Sequence, residues 1–368
     1  MQIARIEIFQ HDLPVRNGPY SFSTAALWSL DTTLVRLTTS DGCVGWGETC
    51  PLGATYAEAH AAGARAALIH LAPHLIGASV GQISLLHGLM DRHLAGHAYA
   101  KAAFDIAAHD ALGHQLQLPV SDLLGGARRD RVPSYYATGI GAPDAMADLA
   151  ADKLGEGYPR IQMKAGGRAI DEDIAVARAI WDRNAGKARF AVDANRAWTL
   201  RDAIQFSQAL RDVPLIIEQP CDSLQDLRAL RPHLCHPLYM DENATSLATV
   251  VEAVGTGLVD GFGMKLTRIG GLAPMAVVRD ICAARRIPMT CDDSWGGDII
   301  AAACTAIGST VAPDLSEGVW LAQPYIDGHY DATGIAVRDG HIDVPAGPGL
   351  GLSIDARQFG TPIASFSA

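Results

Sequence analysis

Four short apolar runs, 188-ARFAVDAN-195, 214-PLIIEQP-220, 238-LYMDEN-243 and 261-GFGMKL-266, each lead into a charged residue. These charged residues are Asp193, Glu218, Asp241 and Lys265, and successive ones are 23 to 25 residues apart. A buried parallel strand is a short apolar run, and a helix must return the chain to the start of the next strand. The regular interval therefore predicts four successive βα units.

Strands of this kind close into a parallel barrel, and the carboxyl ends of barrel strands carry the active site. Three carboxylates at one end would repel one another unless a hard cation lay between them. We therefore predict one Mg²⁺ ion per subunit, bound by Asp193, Glu218 and Asp241. In the alternative interpretation the three acids are unrelated and cap helices or pair with arginines.

Length and composition set further bounds. A barrel of about 200 to 250 residues leaves room for a second domain in a chain of 368 residues. The net charge of −11 and the lack of a lysine- or arginine-rich run argue against nucleic acid and anionic membranes as partners. The first residues do not resemble a signal peptide, and no apolar run reaches the length of a membrane span. We expect a cytoplasmic homo-oligomer with reduced cysteines that binds a small zwitterionic carboxylate.

The texture of the sequence divides the chain into three parts. Residues 1–125 alternate like strands and then become alanine- and leucine-rich with helical spacing, which predicts an α+β capping domain. Residues 126–320 carry the strand-and-helix rhythm of the barrel. Residues 321–368 contain a hairpin pattern around Asp339-Gly340 and are expected to return to the capping domain and cover the barrel mouth.

Strand order predicts the geometry of the site. The remaining barrel strands are expected at 132–140 (first), 160–164 (second), 287–293 (seventh) and 315–320 (eighth). The second and sixth strands lie opposite each other in an eight-membered ring, so Lys164 and Lys265 should face each other across the mouth. A lysine pKa of about 10.4 can fall beside a divalent cation in a closed pocket, which would make either lysine a useful base. The alternative is that each lysine is a structural partner of a nearby acid.

Several motifs together resemble the enolase superfamily. They are 164-KAGG-167, the D-A-N, E-Q-P and D-E-N strand ends, 265-KLTRIGG-271 and 291-CDDSWGG-297. One lysine on each side of the site is similar to the muconate lactonizing enzyme subgroup. The resemblance implies a (β/α)₇β modified TIM barrel with an α+β capping domain. It also implies Mg²⁺ on the three carboxylates and removal of a proton alpha to a substrate carboxylate, through an enediolate that the metal stabilises.

The sequence departs from related patterns at two places. Mandelate-racemase-type members use a His-Asp pair on strands seven and six, where this chain has Asp292 and Lys265. The subgroup usually shows K-x-K on strand two, but Gln162 stands at the first position, so Lys164 is the expected base. The substrate carboxylate would then be held by the metal, Lys164 and hydrogen bonds from Gln162. Asn195 and Glu242 are expected to support the metal ligands.

Other segments resemble hydroxyproline betaine 2-epimerases, which also racemise proline betaine. They are 28-WSLDTTLV-35, 45-GWGETCPLGATY-56, 134-SYYATGIG-141 and 297-GDIIAAACT-305. A quaternary nitrogen has no N–H, so aromatic faces must hold it. The aromatic residues that we expect to contact the substrate are Tyr56, Trp320, Trp295 and Trp28. Asp292 is a further expected contact, which would accept a hydrogen bond from a substrate that carries an amine.

Three functions remain open at this point. The first is an isomerase in which both lysines invert the alpha carbon of proline betaine or hydroxyproline betaine. The second is a related enzyme of the same subgroup, either a 3-hydroxyproline dehydratase or a racemase of another amino-acid derivative. The third is a metal-stabilised binding barrel without catalytic activity.

Overall fold

The computed structural model describes residues 1–22 and 25–368, and its N-terminal part is an antiparallel sheet packed against helices. The strands of this part are β1 (Ile3–Pro14), β2 (Tyr20–Phe22), β3 (Ala25–Leu27), β4 (Ser29–Thr39) and β5 (Val44–Thr49). The helices are α1 (Ala61–Leu75), α2 (Ile83–His93), α3 (Ala98–Leu116) and α4 (Val120–Leu123). The expected turn at residues 40–42 joins β4 and β5, which pair antiparallel.

Helix α3 lies unusually close to strand β5 because glycines of the strand face alanines of the helix. A Cβ placed on Gly47 would lie 1.8 Å from the carbonyl oxygen of Ala103, and one on Gly45 would lie 2.1 Å from that of Ala107. Only glycine permits this approach. It fixes the end of β5, and the residues that follow β5 reach the barrel mouth.

The barrel is a sheet of seven parallel strands in sequential order. Its strands, with β6 (Arg131–Pro133) preceding them, are β7 (Tyr136–Ala137), β8 (Arg160–Lys164), β9 (Arg189–Asp193), β10 (Leu215–Glu218), β11 (Leu238–Met240), β12 (Gly261–Lys265) and β13 (Met289–Asp292). The helices are α5 (Pro143–Gly155), α6 (Ile170–Asn184), α7 (Leu200–Ala209), α8 (Leu224–Leu230), α9 (Leu247–Thr256), α10 (Leu266–Ile269), α11 (Leu272–Arg285) and α12 (Asp298–Ser309). Together with the capping sheet, this architecture confirms the predicted fold class.

Short polar residues begin three of the barrel helices. The side chains of Thr199, Ser223 and Ser246 each accept a hydrogen bond from the backbone N–H three residues later, at the starts of α7, α8 and α9. Such N-caps satisfy donors that the first helical turn leaves free. They set where each helix begins, and therefore how far the preceding loop extends over the barrel mouth.

The eighth strand expected at 315–320 does not form as a continuous strand. Ser316 makes a single parallel bridge to Met289, and Val319 makes one to Ser134, so the segment still closes the ring between the seventh and first strands. Gly318 interrupts the pairing. Its φ is +103°, and a Cβ atom at this position would lie 2.8 Å from the carbonyl oxygen of Pro133. The expected first strand, 132–140, is likewise divided into β6 and β7, and only β7 belongs to the barrel sheet.

The C-terminal hairpin lies at the amino end of the barrel strands, whereas we predicted it at the barrel mouth. Its strands are β14 (Val337–Arg338) and β15 (His341–Asp343), and β15 pairs with β6. Gly340 packs against Gly157, just before β8 begins, so the hairpin closes the amino end of the strands. The return to the capping domain is made instead by β16 (Ala364–Ser367), which pairs with β1.

The mouth is approached by the segment that follows Trp320. The Tyr325 hydroxyl donates to the carbonyl oxygen of Ala137 over 2.9 Å, and Ile326 bridges Val15 of the capping domain. Among the described residues, none of the helices combines the length and apolar character that a membrane crossing requires.

Candidate active site

Three carboxylates meet at the carboxyl ends of neighbouring strands. Asp193 ends β9, Glu218 ends β10 opposite it in register, and Asp241 follows β11. All three are buried, and one oxygen from each lies within 4.8 Å of the others. Burial, together with the charges of Asp193 and Asp241, raises the pKa of Glu218 to about 8. Closely spaced, buried carboxylate oxygens are the ligand set that a hard divalent cation such as Mg²⁺ takes. The residues therefore fit the predicted metal.

Each of the two predicted lysines contacts this cluster. Lys164 Nζ lies 2.6 Å from Asp193 Oδ2, and Lys265 Nζ lies 3.5 Å from Asp241 Oδ2 and 3.6 Å from Asp292 Oδ2. Burial favours the neutral form of both lysines, but these carboxylates outweigh it and raise both pKa values. Each ammonium group pairs directly with a carboxylate, and the lowering of the lysine pKa that we expect beside a bound cation stays a prediction.

Both lysines line one cavity between the capping domain and the barrel. The capping domain contributes Tyr20, Leu52 and Tyr56 to its wall. The remaining wall residues come from barrel strands and the loops after them: Tyr135, Ala137, Gln162, Lys164, Asn195, Lys265, Asp293, Ser294 and Trp320. Two lysines and several aromatic side chains thus line the same cavity, and the carboxylates Asp193 and Asp241 lie behind the lysines that contact them.

The predicted aromatic residues divide into two groups. Tyr56 and Trp320 line the cavity, and the Tyr56 hydroxyl lies 3.4 Å from Asp241 Oδ2. Trp295 is 1% exposed and packs behind Trp320 with ring centroids 5.4 Å apart, so it supports the wall without forming it. Trp28 is 68% exposed and is not part of the cavity wall. Its predicted contact with the substrate is wrong for this structure, because the loop that carries it turns the ring toward solvent.

The predicted polar residues face the carboxylates. Gln162 Nε2 donates to Asp193 Oδ2 over 3.1 Å and to Glu218 Oε1 over 3.4 Å, so both of its amide hydrogens are directed at the metal ligands. This differs from the expected hydrogen bond to the substrate. Asn195 Nδ2 lies between Asp193 Oδ2 and Glu242 Oε1, at 3.1 Å and 3.0 Å. Burial and the neighbouring aspartates raise the pKa of Glu242 to about 8.

Asp292 is held by three neighbours. Its Oδ1 accepts from the Trp320 backbone N–H over 2.6 Å, and its Oδ2 accepts from the Tyr135 hydroxyl over 2.8 Å. Asp292 also forms an ion pair with Lys265, its register partner on the neighbouring strand. It therefore orients the lysine and the tryptophan that face the cavity.

Some site residues were not predicted from the sequence. Arg268 binds Asp241 Oδ1 over 2.5 Å and lies 3.2 Å from the Tyr56 hydroxyl, although it belongs to the quoted segment 265–271. Tyr135, Tyr20 and Arg160 were also missed. Alternation along β8 could have indicated Arg160, since it lies on the same face as Gln162 and Lys164. Tyr20 begins the three-residue strand β2 and Tyr135 lies between β6 and β7, and segments as short as these give no such signal.

Both domains of the chain match known protein families. Residues 5–125 match the mandelate racemase / muconate lactonizing enzyme N-terminal domain, and residues 145–358 match the enolase C-terminal domain-like family. The cis-3-hydroxy-L-proline dehydratase of Roseibium aggregatum is 35% identical over 100% of both chains. The hydrophobic dipeptide epimerase of Enterococcus faecalis is 30% identical and covers 77% of this chain and 79% of its own.

Solved structures agree with these sequence matches. A member of the enolase superfamily from Roseovarius nubinhibens ISM, complexed with magnesium, superposes with a TM-score of 0.95 at 32% identity, and 100% of each chain is covered. Fold, domain order and sequence therefore lead to the same conclusion. The chain belongs to the enolase superfamily, within its mandelate racemase and muconate lactonizing enzyme branch.

Proposed function

We propose that this protein is a Mg²⁺-dependent racemase or epimerase that inverts the alpha carbon of proline betaine or hydroxyproline betaine. The observation that carries the proposal is that two lysines line the same cavity. Lys164 ends the second barrel strand and Lys265 the sixth, and both line the cavity beside the carboxylate cluster. Strands four places apart in a closed ring approach a bound substrate from opposite sides.

The reaction needs two proton transfers at one carbon. One lysine, in its neutral form, takes the alpha proton from one face, and the other lysine, as an ammonium, delivers a proton to the opposite face. The lysines exchange protonation states, and the substrate leaves with inverted configuration. Mg²⁺ bound to the three carboxylates would offset the charge that keeps the lysines protonated and would stabilise the enediolate.

The cavity wall supports a betaine as the substrate. A quaternary ammonium group offers no N–H donor, and aromatic faces attract it once water is excluded. Trp320, Tyr56, Tyr20 and Tyr135 line the cavity. The nearby acid Asp293 already accepts bonds from the backbone and hydroxyl of Thr267 and from the Ser294 N–H. Asp292 accepts from the Trp320 backbone N–H and the Tyr135 hydroxyl, so both acids already have hydrogen-bond partners within the protein.

A dehydratase of 3-hydroxyproline is the second candidate. The full-length similarity to the Roseibium aggregatum dehydratase favours it. That reaction needs one base for the alpha proton and a proton donor for the leaving hydroxide, and the same two lysines could fill these roles. A racemase of another amino-acid derivative would use the site in the same way as the first proposal.

Proton NMR in deuterated water with Mg²⁺ separates these functions. The panel contains proline betaine, hydroxyproline betaine, free proline and cis-3-hydroxyproline, and the Lys164→Ala/Lys265→Ala double variant is the blank. The proposal requires that the alpha-proton signal of a betaine disappears, and that the signals of the second hydroxyproline betaine epimer grow without loss of water. Elimination from cis-3-hydroxyproline with no exchange in either betaine would establish the dehydratase instead. An absence of exchange and elimination in all four compounds would overturn both proposals.

A further inference from the structure

Strand β8 places three polar side chains in the barrel interior. Side chains alternate along a strand, so Arg160, Gln162 and Lys164 share one face, with Lys164 at the mouth and Arg160 deepest. Arg160 and Gln162 are each 2% exposed. A buried guanidinium is costly unless its surroundings compensate for it, so its partners indicate its role.

Arg160 is held from several directions. Its NH2 donates to Gln162 Oε1 over 3.2 Å and to Glu218 Oε2 over 3.3 Å. Its NH1 donates to the carbonyl oxygen of Glu317 over 3.1 Å, and its Cζ lies 4.4 Å from the centre of the Tyr135 ring. The planar fork of arginine can hold several acceptors at once, which a lysine ammonium on a flexible stem does less well.

The guanidinium determines which way the Gln162 amide points. An amide has a carbonyl end that only accepts and an NH₂ end that only donates. Because Oε1 faces Arg160, Nε2 must face the opposite side, where it donates to Asp193 and Glu218. Arg160 therefore acts on Glu218 twice, directly at Oε2 and through Gln162 at Oε1.

We propose that Arg160 is a positioning residue of the metal centre, which orients Gln162 and Glu218 and places a buried positive charge against Glu218. The identity of the metal rests on the proposed function, but the inference does not depend on the substrate. It has a direct consequence for position 162. A lysine there would bring a further cation against Arg160, whereas without Arg160 the same lysine would face Asp193 and Glu218 with one cation fewer beside it, since Lys164 contacts Asp193 in both backgrounds.

Arg189, the register partner of Arg160 on the neighbouring strand β9, provides a control. It binds Glu317 Oε1 over 2.5 Å, and Glu317 also accepts from the Tyr239 hydroxyl over 2.7 Å. Its side chain is 59% exposed, and its hydrogen bonds in the described part of the chain do not reach the metal carboxylates. A change at Arg189 tests the loss of an arginine in this network without disturbing the ligand layer.

The first test is calorimetric titration of Mg²⁺ into the full chain without substrate. Arg160→Met and Arg160→Lys should each weaken Mg²⁺ binding by about 10-fold or more, the scale expected when a partner of a metal ligand is lost. Arg189→Met should leave the affinity within about 2-fold of wild type. Charge alone predicts the opposite sign for Arg160→Met, since removal of a cation favours Mg²⁺. Tighter binding by that variant, or unchanged binding by Arg160→Lys, would overturn the inference.

The second test compares Gln162→Lys in two backgrounds by thermal unfolding in chelator. Gln162→Lys should lower Tm in the wild-type background and raise it in the Arg160→Met background, with a parallel recovery of Mg²⁺ affinity in the double variant. An equal effect in both backgrounds would overturn the coupling. If Arg160→Met does not fold, the Arg160→Lys titration decides. A wild type that binds no Mg²⁺ would overturn the proposed function together with this inference, whereas wild-type binding that the Arg160 variants retain overturns the inference alone.

Discussion

Replacement of Trp320 tests whether an aromatic face holds the substrate's charged nitrogen. Trp320 is 8% exposed and lines the cavity, and its backbone N–H is fixed by Asp292. Trp295 and Tyr325 support its ring, each with a centroid 5.4 Å away. The indole is therefore held in one orientation before substrate binds, which limits the entropy lost on binding.

The expected magnitude follows from the strength of a cation–π contact. An aromatic face attracts a desolvated cation by about 0.5 to 2 kcal/mol, and about 1.4 kcal/mol corresponds to a factor of 10 in affinity. Trp320→Ala should therefore weaken binding of proline betaine by roughly 10-fold or more. Trp320→Phe should cost less, because a weaker ring face remains. The alanine variant also loses about 3 to 5 kcal/mol of stability from the cavity it creates, so the phenylalanine variant is the safer comparison.

Trp295→Phe is the matched control for this change. Trp295 is as well buried as Trp320 and packs against it, but it is not part of the cavity wall. Its replacement should lower the thermal stability to a similar degree while leaving the KM for the betaine nearly unchanged. A loss confined to the Trp320 variant would then report a contact with the substrate rather than a general loosening of the core.

The assay is kcat/KM for proline betaine and for free proline on wild type and the three variants. Cation–π recognition requires that the betaine loses more than free proline when Trp320 changes. If free proline is the better substrate of wild type and Trp320→Phe affects both compounds equally, the betaine assignment is wrong. The metal and lysine assignments would survive that result.

Three further predictions concern the metal, the lysines and the pH dependence of stability. Glu218→Gln should reduce turnover by about 100-fold or more and abolish calorimetric Mg²⁺ binding, and full activity in excess chelator would refute the metal assignment. Lys164→Ala and Lys265→Ala should both stop net inversion but retain deuterium exchange of opposite enantiomers, so normal inversion by either variant contradicts the two-base scheme. Burial opposes the ionised form of His109, but Asp105 outweighs it and raises the pKa of His109. The pair therefore stabilises the fold fully below pH 6.5 and less as the pH rises through the raised pKa. The Tm difference between wild type and His109→Gln should accordingly narrow as the pH rises above about 6.5, and a constant difference would count against this pair.

The barrel strands were predictable because burial on both faces makes each a continuous apolar run. The predicted strand 160–164 coincides with β8, and the four runs that lead into Asp193, Glu218, Asp241 and Lys265 differ from the observed strands by a few residues. The prediction was least accurate where pairing is broken. Gly318 divides the eighth strand into single bridges, and the hairpin at 337–343 pairs with β6 at the amino end of the barrel. Neither feature follows from an apolar pattern, because a hairpin pattern does not specify which edge it joins.

The site was predictable where one side chain follows each strand, and unpredictable where neighbours come from distant segments. Equal spacing was enough to bring Asp193, Glu218 and Asp241 together. Spacing could not show that Gln162 directs both amide hydrogens at these carboxylates, since Asp193 and Glu218 lie on other strands. The substrate contact predicted for Trp28 was missed for a related reason. This residue lies between β3 and β4, and the sequence there does not specify which way its side chain points.

Two capping-domain carboxylates explain how the cavity keeps its shape. Glu48 accepts from the backbone N–H groups of Gly297 and Ile300, at the start of α12, and Asp105 accepts from that of Leu272, at the start of α11. Acceptors at helix N-termini satisfy free donors and interact favourably with the helix dipole. Glu48 lies four residues before Leu52, which lines the cavity, so this contact fixes the capping loop over the mouth. The lysines and carboxylates stand on barrel strands, whereas Leu52 and Tyr56 stand on the capping domain. Residues from the capping loops can therefore differ while the lysines and carboxylates on the barrel stay in place, which is consistent with relatives that share this fold and differ in their named reactions.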